Sequence, residues 1–260
     1  MRFLLEFPAV VSAFLVCVVT LAIALAGVRI VRKRFPHEVL KENHEVAGFI
    51  YNSFMLIYAV LVAFVVFVSW SDYSQAERNT EIEANLLTDL FMDARGLPDT
   101  MRVNVQQTII SYLESIINDE WETMKRGRPG PKAREEFAKL WQLYMDADVK
   151  SLPNEPVYRE SLTKLNQVGE HRRLRIFAAN DFIPGFIWFV LIICATASVS
   201  YTFFFGSKYA APQYIMTGVL TLINSLILYL IFVLDHPFNG VSGVSSSSFN
   251  VILRILQHMK

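Results

Sequence analysis

Apolar and polar positions alternate along this chain in long blocks. Four stretches contain no Asp, Glu, Lys or Arg: Phe7 to Val28, Val46 to Ser71, Phe182 to Ser207 and Tyr209 to Leu234. Each is longer than the roughly 18–20 residues a helix needs to cross the hydrocarbon core of a bilayer. The pattern predicts four membrane-spanning helices. The first is expected to be a retained span and not a cleaved signal, because Glu6 opposes the early Arg2 and the apolar run closes on Arg29, Arg32, Lys33 and Arg34, a stop-transfer arrangement.

Between the second and third spans lies a polar region, residues 72–181, whose periodicity is helical throughout. Ile82, Leu86, Leu90 and Ala94 recur at helical spacing within Ser74 to Arg95. Gly96-Leu97-Pro98 interrupts that pattern, and Asp99 or Thr100 is placed to cap a helix running to about Lys125. Its apolar face comprises Val105, Ile109, Tyr112, Leu113, Ile116 and Ile117. Gly127-Arg128-Pro129-Gly130-Pro131 reads as a turn. A short helix bearing Phe137, Leu140, Trp141 and Tyr144 follows, then a further helix from about Val157. After the fourth span, Ser245 to Ser248 are positioned to cap a terminal helix, Phe249 to Lys260. Its Ile252, Ile255, Leu256 and Met259 share a face that either packs on the protein itself or lies in the membrane interface. No strand pattern is present. The fold class is therefore an all-α integral membrane protein, divided into residues 1–71 (two spans and a basic connection), 72–181 (a soluble helical domain), 182–235 (two spans) and 236–260 (a terminal segment).

Composition sharpens this reading. Of 260 residues, 53% are hydrophobic and 18% charged, against about 25% charged in ordinary soluble domains. With 24 Lys+Arg balancing 24 Asp+Glu, there is no basic excess to neutralise phosphates, and nucleic acid is excluded as a partner. Cys17 and Cys194 both sit in apolar runs and serve as small packing residues. His37, His44, His171, His236 and His258 have no ligand spacing. No nucleophile elbow, phosphate loop or dinucleotide fingerprint is present, so neither an enzyme nor a cofactor is expected. The acidic positions Asp72, Glu77, Glu81, Glu83, Asp89 and Asp93, and likewise Asp119-Glu120-Trp121-Glu122, could bind a cation, but a solvated helix face is the favoured reading.

The spans carry no ionisable carboxylate or lysine in their cores, so no proton relay is visible. Two of them carry stripes of small and polar residues. In span two these are Asn52, Ala59, Ala63 and Phe67, broken at position 56; in span four they are Thr217, Thr221, Asn224 and Ser225. Such stripes mark close helix packing or line a path for ions or water. Spacing alone leaves both open.

The end of span two reads Phe67-Val68-Ser69-Trp70-Ser71-Asp72-Tyr73-Ser74-Gln75-Ala76-Glu77, then Glu83-Ala84-Asn85-Leu86. An apolar helix passing straight into a Tyr- and Glu-bearing wet helix resembles the same segment of the bestrophin channels. Tyr51-Asn52, Tyr112, Asp119-Glu120-Trp121 and Asp235-His236-Pro237-Phe238-Asn239-Gly240 extend the resemblance to bestrophin-like membrane proteins over roughly Ala47 to Gly240. Bestrophins are pentameric anion channels whose second span lines the pore neck, and anchoring on Tyr73 places Phe67, Ala63 and Ala59 at the neck positions. Two of these are alanine, so the bulky apolar gate of the family is not reproduced. The acidic cluster that binds calcium in animal bestrophins is missing too, with Asp235 and Pro237-Phe238 alone near its place, so the resemblance leaves Asp235 as a weak candidate for holding a cation.

The resemblance implies a homo-oligomeric, multi-pass channel for inorganic ions in the plasma (inner) membrane, with its central helices cytoplasmic. The basic connection Arg29, Arg32, Lys33, Arg34 and Lys41 argues for the opposite side, and Arg172, Arg173 and Arg175 compete with it. The rival expectation is a membrane-anchored scaffold or sensor whose central helices bind a partner.

Overall fold

The computed structural model describes residues 7–35, 44–125, 128–149, 152–205, 209–240 and 243–259. Among the positions named above, Arg2, Glu6, His37, Lys41, Gly127, Ser207 and Lys260 lie outside the described residues. Within them the chain is helical, with no strand. Helix α1 spans Ala9–Arg34 and α2 spans His44–Asp93. A tight turn, Ala94–Gly96, leads to α3, Asp99–Ser115. A wide π-helical turn, Ile116–Glu120, continues into α4, Trp121–Lys125. Then come α5 (Pro131–Met145), α6 (Glu155–Ala178), α7 (Gly185–Phe203), α8 (Ala210–Leu234) and α9 (Ser247–His258).

Among the described residues, four helices are long and apolar enough to cross a membrane: α1, the apolar part of α2, α7 and α8. Helix α2 is 50 residues long. No Gly or Pro interrupts it from Phe49 to Arg95, so nothing breaks its hydrogen-bond ladder where the apolar sequence gives way to the polar one.

The chain divides into two compact units, Met1–Asp72 with Phe182–Ser242, and Tyr73–Asp181 with Gly243–Lys260. In the first unit Tyr58 and Val62 of α2, Leu191 and Ala195 of α7 and Ile231 of α8 form a buried cluster. Helix α1 packs chiefly on α8 and also on α7. Gly27 permits the second contact, because a Cβ there would meet the Phe203 ring at 2.5 Å. Only 17–33% of the apolar stretch of each span is buried inside the protein. The remaining apolar surface, including Phe14, Ile23, Phe186 and Met216, requires lipid or a neighbouring copy to cover it.

The second unit has its own core, built from Leu87, Leu90 and Phe91 of α2, Val105, Ile109 and Leu113 of α3, Leu140 of α5, Leu165 and Val168 of α6, and Phe249 and Leu256 of α9. Helix α3 packs on α5, and α9 packs on α3 and the π-helical turn. The terminal helix thus buries Phe249, Ile252 and Leu256 against its own protein, while Ile255 and Met259 stay exposed. Its N-cap, Ser246, makes no side-chain capping bond, and neither Asp99 nor Thr100 caps α3, which starts after Pro98.

The inward face of the wet part of α2 differs from the one its apolar residues suggest. Ile82 is 40% exposed, whereas Thr80, Glu83, Ala84 and Leu87 are buried. Glu83 and Glu120 are therefore not solvated, and both are fully buried. The reason is a charged partner, the buried Arg175 guanidinium.

Candidate pore-lining face and the polar networks that frame it

On α2, residues 52, 59, 63 and 67 return to within about 80° of one another at 100° per residue. All four, Asn52, Ala59, Ala63 and Phe67, are exposed, while Tyr58, Val62 and Ser69 on the opposite side are buried. The face that spacing selects therefore points away from the core of its own unit. Leu56, which interrupts the run of small residues, lies on the same face and is 68% exposed. Farther along the helix, Glu77, Glu81 and Asn85 are exposed as well.

The stripe on α8 behaves differently. Thr217, Thr221, Asn224 and Ser225 are all buried. Thr217 pairs with the Thr202 hydroxyl at 2.9 Å, and Ser225 with the Thr20 hydroxyl at 2.7 Å. The Asn224 amide accepts from the Tyr58 hydroxyl at 3.1 Å and donates to Ser198 Oγ at 3.1 Å. One side chain thereby joins α2, α7 and α8, and the whole stripe is a packing seam. Cys17 is buried and Cys194 half-buried, and both are unbridged.

Asp235 closes the end of α8. Its Oδ1 accepts from the backbone N–H of Ile183 at 2.6 Å, and its Oδ2 from the Trp188 indole N–H at 3.3 Å. The carboxylate is thus spent tying α8 to the start of α7. Beside it, the His236 imidazole lies 4.8 Å from the rings of both Phe182 and Phe232. Among the described residues no group of three His, Cys, Asp or Glu is close enough together to hold a metal ion.

In the second unit a fully buried guanidinium organises the core. Arg175 Nε donates to Glu83 Oε2 at 2.7 Å, and Nη2 donates to Glu120 Oε1 at 2.8 Å. Tyr112 donates to Glu83 Oε1 at 2.8 Å, and Arg172 Nη2 to Glu120 Oε2 at 2.7 Å. Two carboxylates thus balance two guanidinium groups, as burial of charge demands. The rings of Trp121 and Phe249 flank Arg175 at 5.7 and 5.4 Å. Burial alone would lower the Arg175 pKa, but Glu83 and Glu120 override it and raise it. Burial, reinforced by the Glu83 carboxylate, pushes the Tyr112 hydroxyl well up. The wide turn at Ile116–Glu120 swings Glu120 inward. Gly130 lies so close that a Cβ would meet Glu120 Cα at 2.7 Å, and its N–H bonds Glu120 Oε2 at 3.2 Å. No local pattern announces this network, since Glu83 and Arg175 are 92 positions apart.

Comparison with known proteins points one way. The model of the bestrophin-like domain matches residues 18–249. A crystal structure of a bacterial bestrophin homologue from Klebsiella pneumoniae, carrying a single substitution, superimposes with a TM-score of 0.75 at 13% identity, covering 98% of each chain. A second variant of that homologue gives 0.74 at 12% identity, covering 94% of this chain and 98% of that one. A crystal structure described as that of a membrane protein gives 0.69 at 13% identity, covering 94% and 98%. At such identities the likeness establishes the fold. No curated protein matches.

Proposed function

Since the chain belongs to the bestrophin-like family, we propose that it is an oligomeric ion channel whose pore is lined by the exposed face of α2. Asn52 lies toward one mouth and Ala59, Ala63 and Phe67 form the neck. The observation that carries this reading is the opposite fate of the two stripes: α8 buries its polar residues within the subunit, while α2 presents Asn52, Ala59, Ala63 and Phe67 outward. A face that its own subunit leaves uncovered, on a helix continuing far into the wet region, supports a path shared between copies. With alanine at two positions, the bulk on this face between Asn52 and Phe67 comes from Leu56 and Phe67, 68% and 69% exposed. These two are the expected constrictions, and apolar constrictions gate by dewetting.

A pentamer, a preference for anions and a cytoplasmic central region in a plasma (inner) membrane follow from the resemblance to bestrophins. Conduction through such a path needs no covalent chemistry, only weak binding at several sites. The test is flux through the purified protein in liposomes, with chloride and potassium gradients imposed separately. Wild type should conduct, and Ala63→Trp should abolish flux while the oligomer assembles normally. A conducting Ala63→Trp oligomer would reject the neck assignment. The rival reading, a membrane-anchored scaffold or sensor, draws support from the separate core of the second unit. It gains if a well-folded oligomer conducts neither ion.

A further inference from the structure

Every lysine and arginine among the described residues of the first unit falls in the last six residues of α1: Arg29, Arg32, Lys33 and Arg34. A helix macrodipole favours cations in a last turn, but Arg29 lies before that turn. This basic end is fastened to the bundle. Arg32 Nη1 donates to Gln213 Oε1 at 2.6 Å, across from α1 to α8. Gln213 is 4% exposed, and its own amide donates to the Phe203 carbonyl at 3.1 Å, at the end of α7. Arg29, Lys33 and Arg34 are exposed, and among the described residues none of them makes an ion pair. Arg29 and Lys33 are one turn apart on one face. The surface next to them is apolar and open, with Ile30 at 64% and Ile23 at 67% exposure.

Cations that pair with no carboxylate among the described residues, set where an apolar span leaves the hydrocarbon and beside uncovered apolar side chains, match one occupant. Acyl chains fit the apolar surface, and a phosphate fits the cations. We propose that the basic end of α1 binds the headgroup phosphate of an anionic phospholipid through Arg29 and Lys33, with Arg34 beside them and Arg32 holding this end of the helix against α8. The proposal rests on α1 being a membrane span and is independent of conduction.

The test is native mass spectrometry of the full-length protein in detergent, titrated with phosphatidylglycerol or with phosphatidylcholine of the same chain length. Wild type should bind phosphatidylglycerol about tenfold more tightly. R29Q/K33Q should bring the two lipids to parity with subunit number and helicity unchanged, and R29K/K33R should keep the preference. Should R29Q/K33Q fail to assemble, the wild-type preference still has to fall away as salt rises toward 1 M. Equal binding of the two lipids by wild type would overturn the proposal, as would a preference that survives R29Q/K33Q or high salt. Displacement of the lipid by equimolar inorganic phosphate would overturn the assignment to lipid.

Discussion

Along α8 the threonines, Asn224 and Ser225 turn inward, and each finds a partner within the subunit. Along α2 the small and polar positions turn outward, past Tyr58 and Val62, which face the core. Both stripes recur on one helix face, yet one closes a subunit and the other remains available to something outside it. Within a bilayer, polar side chains facing inward stabilise helix association. Polar and small side chains facing outward have no such use in a lone subunit. The proposed function sets a second copy, or the path between copies, against them.

The contrast can be broken at several strengths. The largest effect is expected in the wet unit, where Arg175→Met would leave Glu83 and Glu120 buried without their shared cation. A loss of about 3–5 kcal/mol is expected, read as a drop in the melting temperature of the detergent-solubilised protein. Next comes Asn224→Leu, which removes the bonds to Tyr58 and Ser198 and should cost about 1 kcal/mol at roughly 0.6 kcal/mol per interhelical bond. Asn52→Leu, the matching change on the exposed stripe, should leave melting unaltered. Equal losses from the two asparagine variants would erase the distinction between the stripes. A smaller loss than that of Asn224→Leu is expected of Ser225→Ala, about 0.6 kcal/mol from the bond to Thr20.

Much of this architecture can be read along the chain because it depends on run length. Four charge-free stretches give four spans, and the unbroken helix-forming sequence from Phe49 to Arg95 gives one continuous α2. The terminal helix is visible from its apolar face, although Phe249, outside the face first apparent, is as fully buried as Leu256. What periodicity conceals is which face turns inward when a buried residue is charged. Ile82 looks like core and is exposed, while Glu83 looks solvated and has no exposure at all. The energy that buries Glu83 comes from Arg175, and a pairing that distant leaves no mark in any local window. The same limit applies to Asp235. Its role as a link to Ile183 and Trp188 becomes apparent only when the start of α7 is brought beside the end of α8. For the candidate pore face, spacing identifies the positions, but the same spacing on α8 marks packing. Exposure is what separates the two.

The measurement that bears most directly on the outward stripe is blockade by thiol modification. Cysteine is placed at Ala63 or at Leu226, an exposed residue of α8, in full-length protein with Cys17 and Cys194 replaced by alanine. Flux in liposomes is then followed before and after a charged methanethiosulfonate reagent. The pore-face account predicts that modification at position 63 stops flux and modification at position 226 leaves it unchanged. Flux that persists after complete modification at position 63 would contradict it.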